Sequence, residues 1–165
     1  MKIYVGVTDN DWFSVLQTNE IKTANFWRPG KSAFKALDEG GLFLFKLHAP
    51  YNFIVGGGYF KAYNRETIKS AWDNYGVGNG TLTLKELEDR LNGLRYKNYI
   101  DNEEIKIGCI ILEDCFYLKQ EDWINVPEDW KSCIVSGKSY NTDSKYGQDL
   151  FNKVMKKLNK NRFDK

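Results

Sequence analysis

Few residues in this chain are equipped for chemistry. One histidine, His48, stands in a proline-containing turn, and an acidic cluster, Asp9-Asn10-Asp11, precedes Trp12. The run Asn25-Phe26-Trp27-Arg28-Pro29-Gly30 is followed at once by Lys31, and single lysines sit within expected strands at 46 and 138. His48 is the one possible base of a nucleophilic triad, and no G-x-S-x-G elbow accompanies it. A metal-dependent nuclease needs several histidines and acids at ligand spacing, which one histidine cannot supply. No Walker loop is present, and acid pairs such as Glu103-Glu104 and Glu121-Asp122 read as solvent-facing turns. The expectation is a binding domain rather than a complete enzyme, with no catalytic residues, no metal and no cofactor.

The run at 25–31 offers the chemistry of binding instead. Basic side chains interleaved with aromatics suit single-stranded or flipped-base recognition, a cation for the phosphate and a π-face for the base. Phe26 or Trp27 fits equally well as a plug in the core. Asp9 to Asp11 likewise fits either a helix cap or a pair of acids facing a ligand beside Trp12.

These residues must be held by a sheet. The twenty residues 41–60, GLFLFKLHAPYNFIVGGGYF, read as a hairpin with strands at 42–47 and 53–55 and a turn at 48–52. Gly56, Gly57 and Gly58 interrupt the second strand, as happens where a strand bulges or where a backbone or ligand comes close. Residues 2–7 alternate as a first strand, and a short helix follows Asp11. Residues 25–30 are expected on irregular backbone, and residues 32–37 suit a short helix with Phe34 and Leu37 inward. Beyond Tyr63 the period changes to helical: residues 65–75 place Ile68, Ala71, Trp72 and Tyr75 on one face, and residues 83–95 do the same with Leu84, Leu87, Leu91 and Leu94. Thr83 and Glu86 form a capping box. The link between the two helices, GVGNG, lacks dinucleotide-loop spacing and the acids of a calcium loop, so it reads as a flexible connector. Strand character returns at 104–112 and 115–118, and again at 134–140 with Lys138 and Tyr140 as its polar members. Trp123 and Trp130 are expected to anchor a loop. A helix capped by Asp143 closes the chain, its lysines forming a solvated face or, alternatively, a phosphate-tracking patch.

Composition bounds the rest. A chain of 165 residues suits one domain, and 24 basic against 22 acidic residues give a net charge of +2, too balanced to require a nucleic acid. Any such binding must rest on local clusters. Aromatics make up 15% of the chain, enough to line a pocket as well as a core. Cys109, Cys115 and Cys133 lack zinc-site spacing and read as reduced thiols. Neither a signal peptide nor an apolar run of membrane length is apparent, so a cytoplasmic location without membrane contact is expected.

Taken together, KIYVGVTDNDWF, NFWRPG, FKALDEGGLFLFKLHAPYNFIVGGGYF, IGCIILEDCFYL, EDWINVPEDW and IVSGKSY resemble the N-terminal domain of predicted HNH-type restriction endonucleases. The element order is also similar to the PUA-like superfamily that includes EVE, YTH, ASCH and SRA domains. The HNH array itself is absent, and the helical pair goes beyond a minimal EVE domain. The resemblance implies an α+β fold with a barrel-like sheet, a PUA-like domain over residues 1–142 with a two-helix insert at 65–95, and a C-terminal helix and basic tail at 143–165. It further implies a reader that flips a modified base, a modified cytosine, out of double-stranded DNA, as the specificity module of a modification-dependent endonuclease. Trp12, Phe26 and Trp27 would then stack on the base, Asn25 and Asp11 would read its edge, and Arg28, Lys31, Lys46, His48, Lys138 and Tyr140 would contact the DNA backbone. An RNA-binding module, or an ASCH-like hydrolase of a modified nucleoside using Lys46 or His48, is the alternative.

Overall fold

Period-two alternation along the strands sorts their side chains onto two faces of one sheet, and the helices cover what the strands leave apolar. The structure, a computed structural model, describes residues 1–95 and 106–163. Among these, seven strands form a single sheet: β1 (Lys2–Thr8), β2 (Ala24–Arg28), β3 (Leu42–Leu47), β4 (Phe53–Thr67), β5 (Lys106–Tyr117), β6 (Ile124–Asn125) and β7 (Gly137–Asn141). Their order is β2-β5-β4-β3-β1-β7, with β6 paired to the start of β4. Only β1 and β3 run parallel; the other pairings are antiparallel. The helices are α1 (Asn10–Thr18), α2 (Ile68–Tyr75), α3 (Leu84–Arg95) and α4 (Lys145–Phe163).

One face of the sheet carries Phe43, Phe45, Val55, Phe60, Ile110 and Leu112, and the sheet curls around them with Trp12, Phe13 and Leu16 of α1 and Phe34 and Leu37 of the following loop. The opposite face is divided. Ile3, Val5, Leu42, Leu44 and Ile54 pack against Leu150 and Val154 of α4, while Ile107, Cys109 and Ile111 pack against Ala71, Leu87 and Leu91 of α2 and α3. This is the mixed α+β, barrel-like sheet with flanking helices that the sequence resemblance implies.

The glycine triplet serves the curling. A Cβ on Gly56 would run into the Phe116 carbonyl, and one on Gly57 would lie 2.5 Å from the Phe43 carbonyl. Register shifts between Phe45 and Lys46, Gly57 and Tyr59, and Phe60 and Ala62 bend the strands at the same place. The glycines thus admit a neighbouring backbone. Gly56→Ala is expected to destabilise the domain by roughly 1–3 kcal/mol, read from the midpoint of urea unfolding, because the obstructing atom is main chain and cannot rotate away.

Several local expectations change. Residues 24–28 form a regular strand, because β5 supplies partners from Ala24↔Leu112 to Arg28↔Gly108. Residues 32–37 are not helical, although Phe34 and Leu37 do point inward. β4 continues to Thr67 before α2 starts, because β5 pairs with it as far as Lys106. Residues 76–79 of the connector form one tight helical turn that buries Gly78 and Asn79, so this link is part of the core. β7 begins at Gly137, leaving Val135 79% exposed. Ser144, rather than Asp143, caps α4, its Oγ accepting from Gly147 N–H at 3.2 Å. The Thr83 half of the capping box holds, Thr83 Oγ1 accepting from Glu86 N–H at 3.2 Å, while the Glu86 carboxylate accepts from Leu82 N–H at 3.1 Å, one residue before the cap. Ile105 and the pair Glu103-Glu104 lie outside the described residues. Burial pushes the Cys109 thiol up to about 11 and Cys115 up to about 12, so both behave as apolar core groups.

Candidate nucleic-acid interface

Strand β2 presents its side chains alternately, and this divides the residues expected to hold a base. Phe26 faces the curled interior, 4.9 Å from the Phe43 ring and 5.3 Å from Trp12. Trp12 is itself buried there, 5.2 Å from Phe45, with its indole N–H donated to the Asn25 carbonyl at 3.2 Å. Asn25 and Trp27 face the other way, toward the buried turn, where one residue receives both. Asn79 accepts from Asn25 Nδ2 at 2.9 Å through its side chain and from Trp27 Nε1 at 2.7 Å through its main chain. Its own amide donates to the carbonyls of Ala71 at 3.0 Å and Gly76 at 2.8 Å. Asp11 is exposed at the start of α1, where Asp9 is the cap and accepts from the main-chain N–H groups of Asp11 and Trp12. Trp12, Phe26 and Trp27 therefore do not converge on one ring-sized slot, a correction that follows from the two-residue repeat of a strand. Sequence reasoning missed Asn79, whose only signal was an amide among glycines.

The expected backbone contacts are likewise divided between opposite ends of β4. At its first end, Lys46 lies beside Ile54 in the β3–β4 pairing and is 4% exposed. Its ammonium donates to Asn52 Oδ1 at 2.9 Å and lies 5.4 Å from the Trp130 ring. Burial lowers its pKa from the usual lysine value. Lys138 pairs with Asp129 at 2.6 Å, and the Tyr140 hydroxyl donates to the same carboxylate at 3.0 Å. Burial pushes that carboxyl up, but the hydrogen bonds from Lys138 and Tyr140 more than offset it, and its pKa falls below the ordinary value. Lys46 and the 5% exposed Tyr140 are thus covered, contrary to a role at the DNA surface, whereas His48 is exposed. Trp130, Asn52 and Asp129 complete this cluster and were not foreseen as site residues.

At the other end of β4 the arrangement is open and basic. Arg28 donates to the Ser32 carbonyl at 3.2 Å, and its guanidinium carbon lies 5.7 Å from the Phe34 ring and 6.0 Å from the Tyr63 ring. Arg65 donates to the carbonyls of Gly30 and Lys106, each at 3.0 Å, and the Tyr63 hydroxyl donates to the Ser32 carbonyl at 3.1 Å. These bonds fasten the loop after β2 over the end of the sheet, with Lys31 and Lys35 exposed on it. Among the described residues, neither arginine is in an ion pair. Arg28 Nε is buried with no hydrogen-bond partner among them. Main-chain carbonyls orient the two planar forks without neutralising them, leaving a charge and further donors for an anion. Tyr63 and Arg65 were not singled out from sequence, because their register with Arg28 is set by β5, where Gly108 pairs with Arg65 on one side and Arg28 on the other.

A separate acid-sensitive lock holds α4. Hydrogen bonds from Lys160, at 2.9 Å, and Lys157, at 3.3 Å, bring the Asp122 carboxyl below its ordinary pKa, against the opposing effect of burial. A depressed folded-state pKa contributes stability above the unfolded value of 3.8 that disappears as pH falls below it. Urea midpoints are therefore expected to drop between pH 5 and about pH 3 in the parent, and to drop less in Asp122→Asn, whose stability at pH 7 is already reduced.

No group of three or more metal-ligating side chains occurs among the described residues. The curled α+β sheet, with its parallel β1–β3 pair, belongs to a class of fold that solved structures share. Its similarity within that class is to ASCH structures from Zymomonas mobilis. One aligns with 13% identity and a TM-score of 0.61 over 91% of this chain and 94% of its own. A tyrosine-to-phenylalanine mutant of that protein gives 13% and 0.62 over 92% and 98%, and a serine-to-alanine mutant 11% and 0.55 over 92% and 95%. At these identities the likeness is one of fold. No family model and no curated protein matches the chain.

Proposed function

We infer that this chain is a nucleic-acid-binding domain that acts through binding rather than catalysis, its contact surface being the Arg28–Tyr63–Arg65 end of the sheet. The supporting observation is the pair of guanidinium groups held on main-chain carbonyls, that of Arg28 beside two aromatic rings, free of carboxylate partners among the described residues, with Lys31 and Lys35 exposed alongside. Phosphates suit such forks, and Tyr63 offers ring surface to a base. In its finer form the reading is that the domain recognises double-stranded DNA carrying a modified cytosine, as the specificity module of a modification-dependent nuclease, in keeping with the sequence resemblance to such modules. Titrating the domain with matched duplexes, with and without the modified cytosine, and with single-stranded RNA of the same sequence at one salt concentration tests both levels. Preference for the modified duplex supports the finer form, preference for RNA replaces it within the same class, and negligible binding to all three removes the class.

A second reading has its own observation. Lys46, covered, lowered in pKa and bonded to an amide, is placed as a lysine of a small-molecule site would be. Hydrolysis of a modified nucleoside, followed by mass spectrometry and abolished by Lys46→Ala, would favour that reading.

A further inference from the structure

A crevice of about 270 Å³ lies between β6 and α4, lined by Trp123, Ile124, Asn125, Lys153, Lys156 and Lys157. It sits at the Phe53 end of β4, the end remote from Arg65, because β6 pairs with Phe53 and Ile54. Trp123 is fixed, with one side 5.8 Å from the Phe53 ring and its N–H donated to the Leu118 carbonyl at 3.2 Å, so what it offers the crevice is apolar ring surface. Positions 153, 156 and 157 of α4 put three lysine side chains along the opposite wall, since residues three and four apart share a helix face. Their charge is only partly answered. Lys153 pairs with Asp149, Lys157 shares the Asp122 carboxylate with Lys160, and Lys156 is in no ion pair among the described residues. Asn125 is exposed at the edge and adds an amide able to donate and accept.

We propose that this crevice binds a nucleotide, the base against the Trp123 indole and the phosphate on Lys153 and Lys156, either as a free nucleoside monophosphate or as one unit of a single strand. A planar ring beside several cations is the combination that sequence-tolerant recognition of single strands uses, and the volume accommodates one base rather than a duplex. The site uses no residue of the Arg28–Arg65 surface. It therefore gives the nucleic-acid-binding reading a second contact, yet stands if that surface proves not to bind.

The test is an amide and indole NMR titration of the whole chain with uridine monophosphate, with a thymidine octamer and with inorganic phosphate. Shifts of the Trp123 indole N–H together with the amides of 125 and 153–157, saturating with the nucleotide or the octamer, are expected. Saturation with the mononucleotide identifies a free nucleotide site, and saturation with the octamer alone identifies a single-strand contact. Lys156→Ala combined with Lys153→Ala should weaken binding roughly tenfold, as loss of cationic phosphate contacts does. These side chains are exposed, so the fold should persist. Unmoved Trp123 with all three probes, or lysine shifts of equal size with phosphate and without the indole, overturns the proposal.

Discussion

Replacing Arg28 and Arg65 together by alanine is expected to weaken nucleic-acid binding by roughly tenfold to a hundredfold, since each charge-assisted contact contributes about 1.5–3 kcal/mol before solvent screening reduces it. The slope of log affinity against log salt should fall by about 2, one unit for each phosphate contact removed. Measuring fluorescence anisotropy at three salt concentrations reads both quantities. The two arginines also fasten the loop at Gly30 and Ser32, so the double lysine variant serves as control. It keeps the charge and the salt slope but loses the fork, and should show intermediate affinity. Unchanged affinity and slope in the alanine variant, with a folded domain by circular dichroism, would place the interface elsewhere.

Asn79→Ala should lower the unfolding free energy by roughly 2–4 kcal/mol, because it removes three buried hydrogen bonds at about 0.5–1.5 kcal/mol each, those to the carbonyls of Ala71 and Gly76 and that from the amide of Asn25, which is left without its partner. All of these partners come from different elements, so their loss separates β2 from the turn after α2 rather than fraying one end. Urea unfolding gives the magnitude. The indole resonance of Trp27, bonded to the Asn79 carbonyl, reports whether the turn has moved. Asn79→Asp should be as destabilising or more so, since the carboxylate cannot donate to either carbonyl and would bury a charge. A loss below about 1 kcal/mol would show that the turn is held by its backbone alone.

Local chemistry determined much of this molecule without help from distant contacts. The alternation of residues 2–7 and 42–47, the helical spacing of Ala71, Leu87 and Leu91, and the Thr83–Glu86 cap each act within one element, and each is found in the structure. The glycine triplet announced a close approach, though not that a backbone would fill it. Other features depended on partners far along the chain. Residues 25–28 look irregular alone and become a strand only because β5, some eighty residues later, offers its edge. That pairing turns Asn25 and Trp27 away from Phe26 and Arg28, and so divides a base pocket that adjacent residues had suggested. Similarly, Lys46, Trp130, Lys138 and Tyr140 form one cluster, and Arg28, Tyr63 and Arg65 another, through sheet order and register. Short-range periodicity is written in neighbouring residues, whereas register is a contest among long-range pairings that only the packed sheet decides.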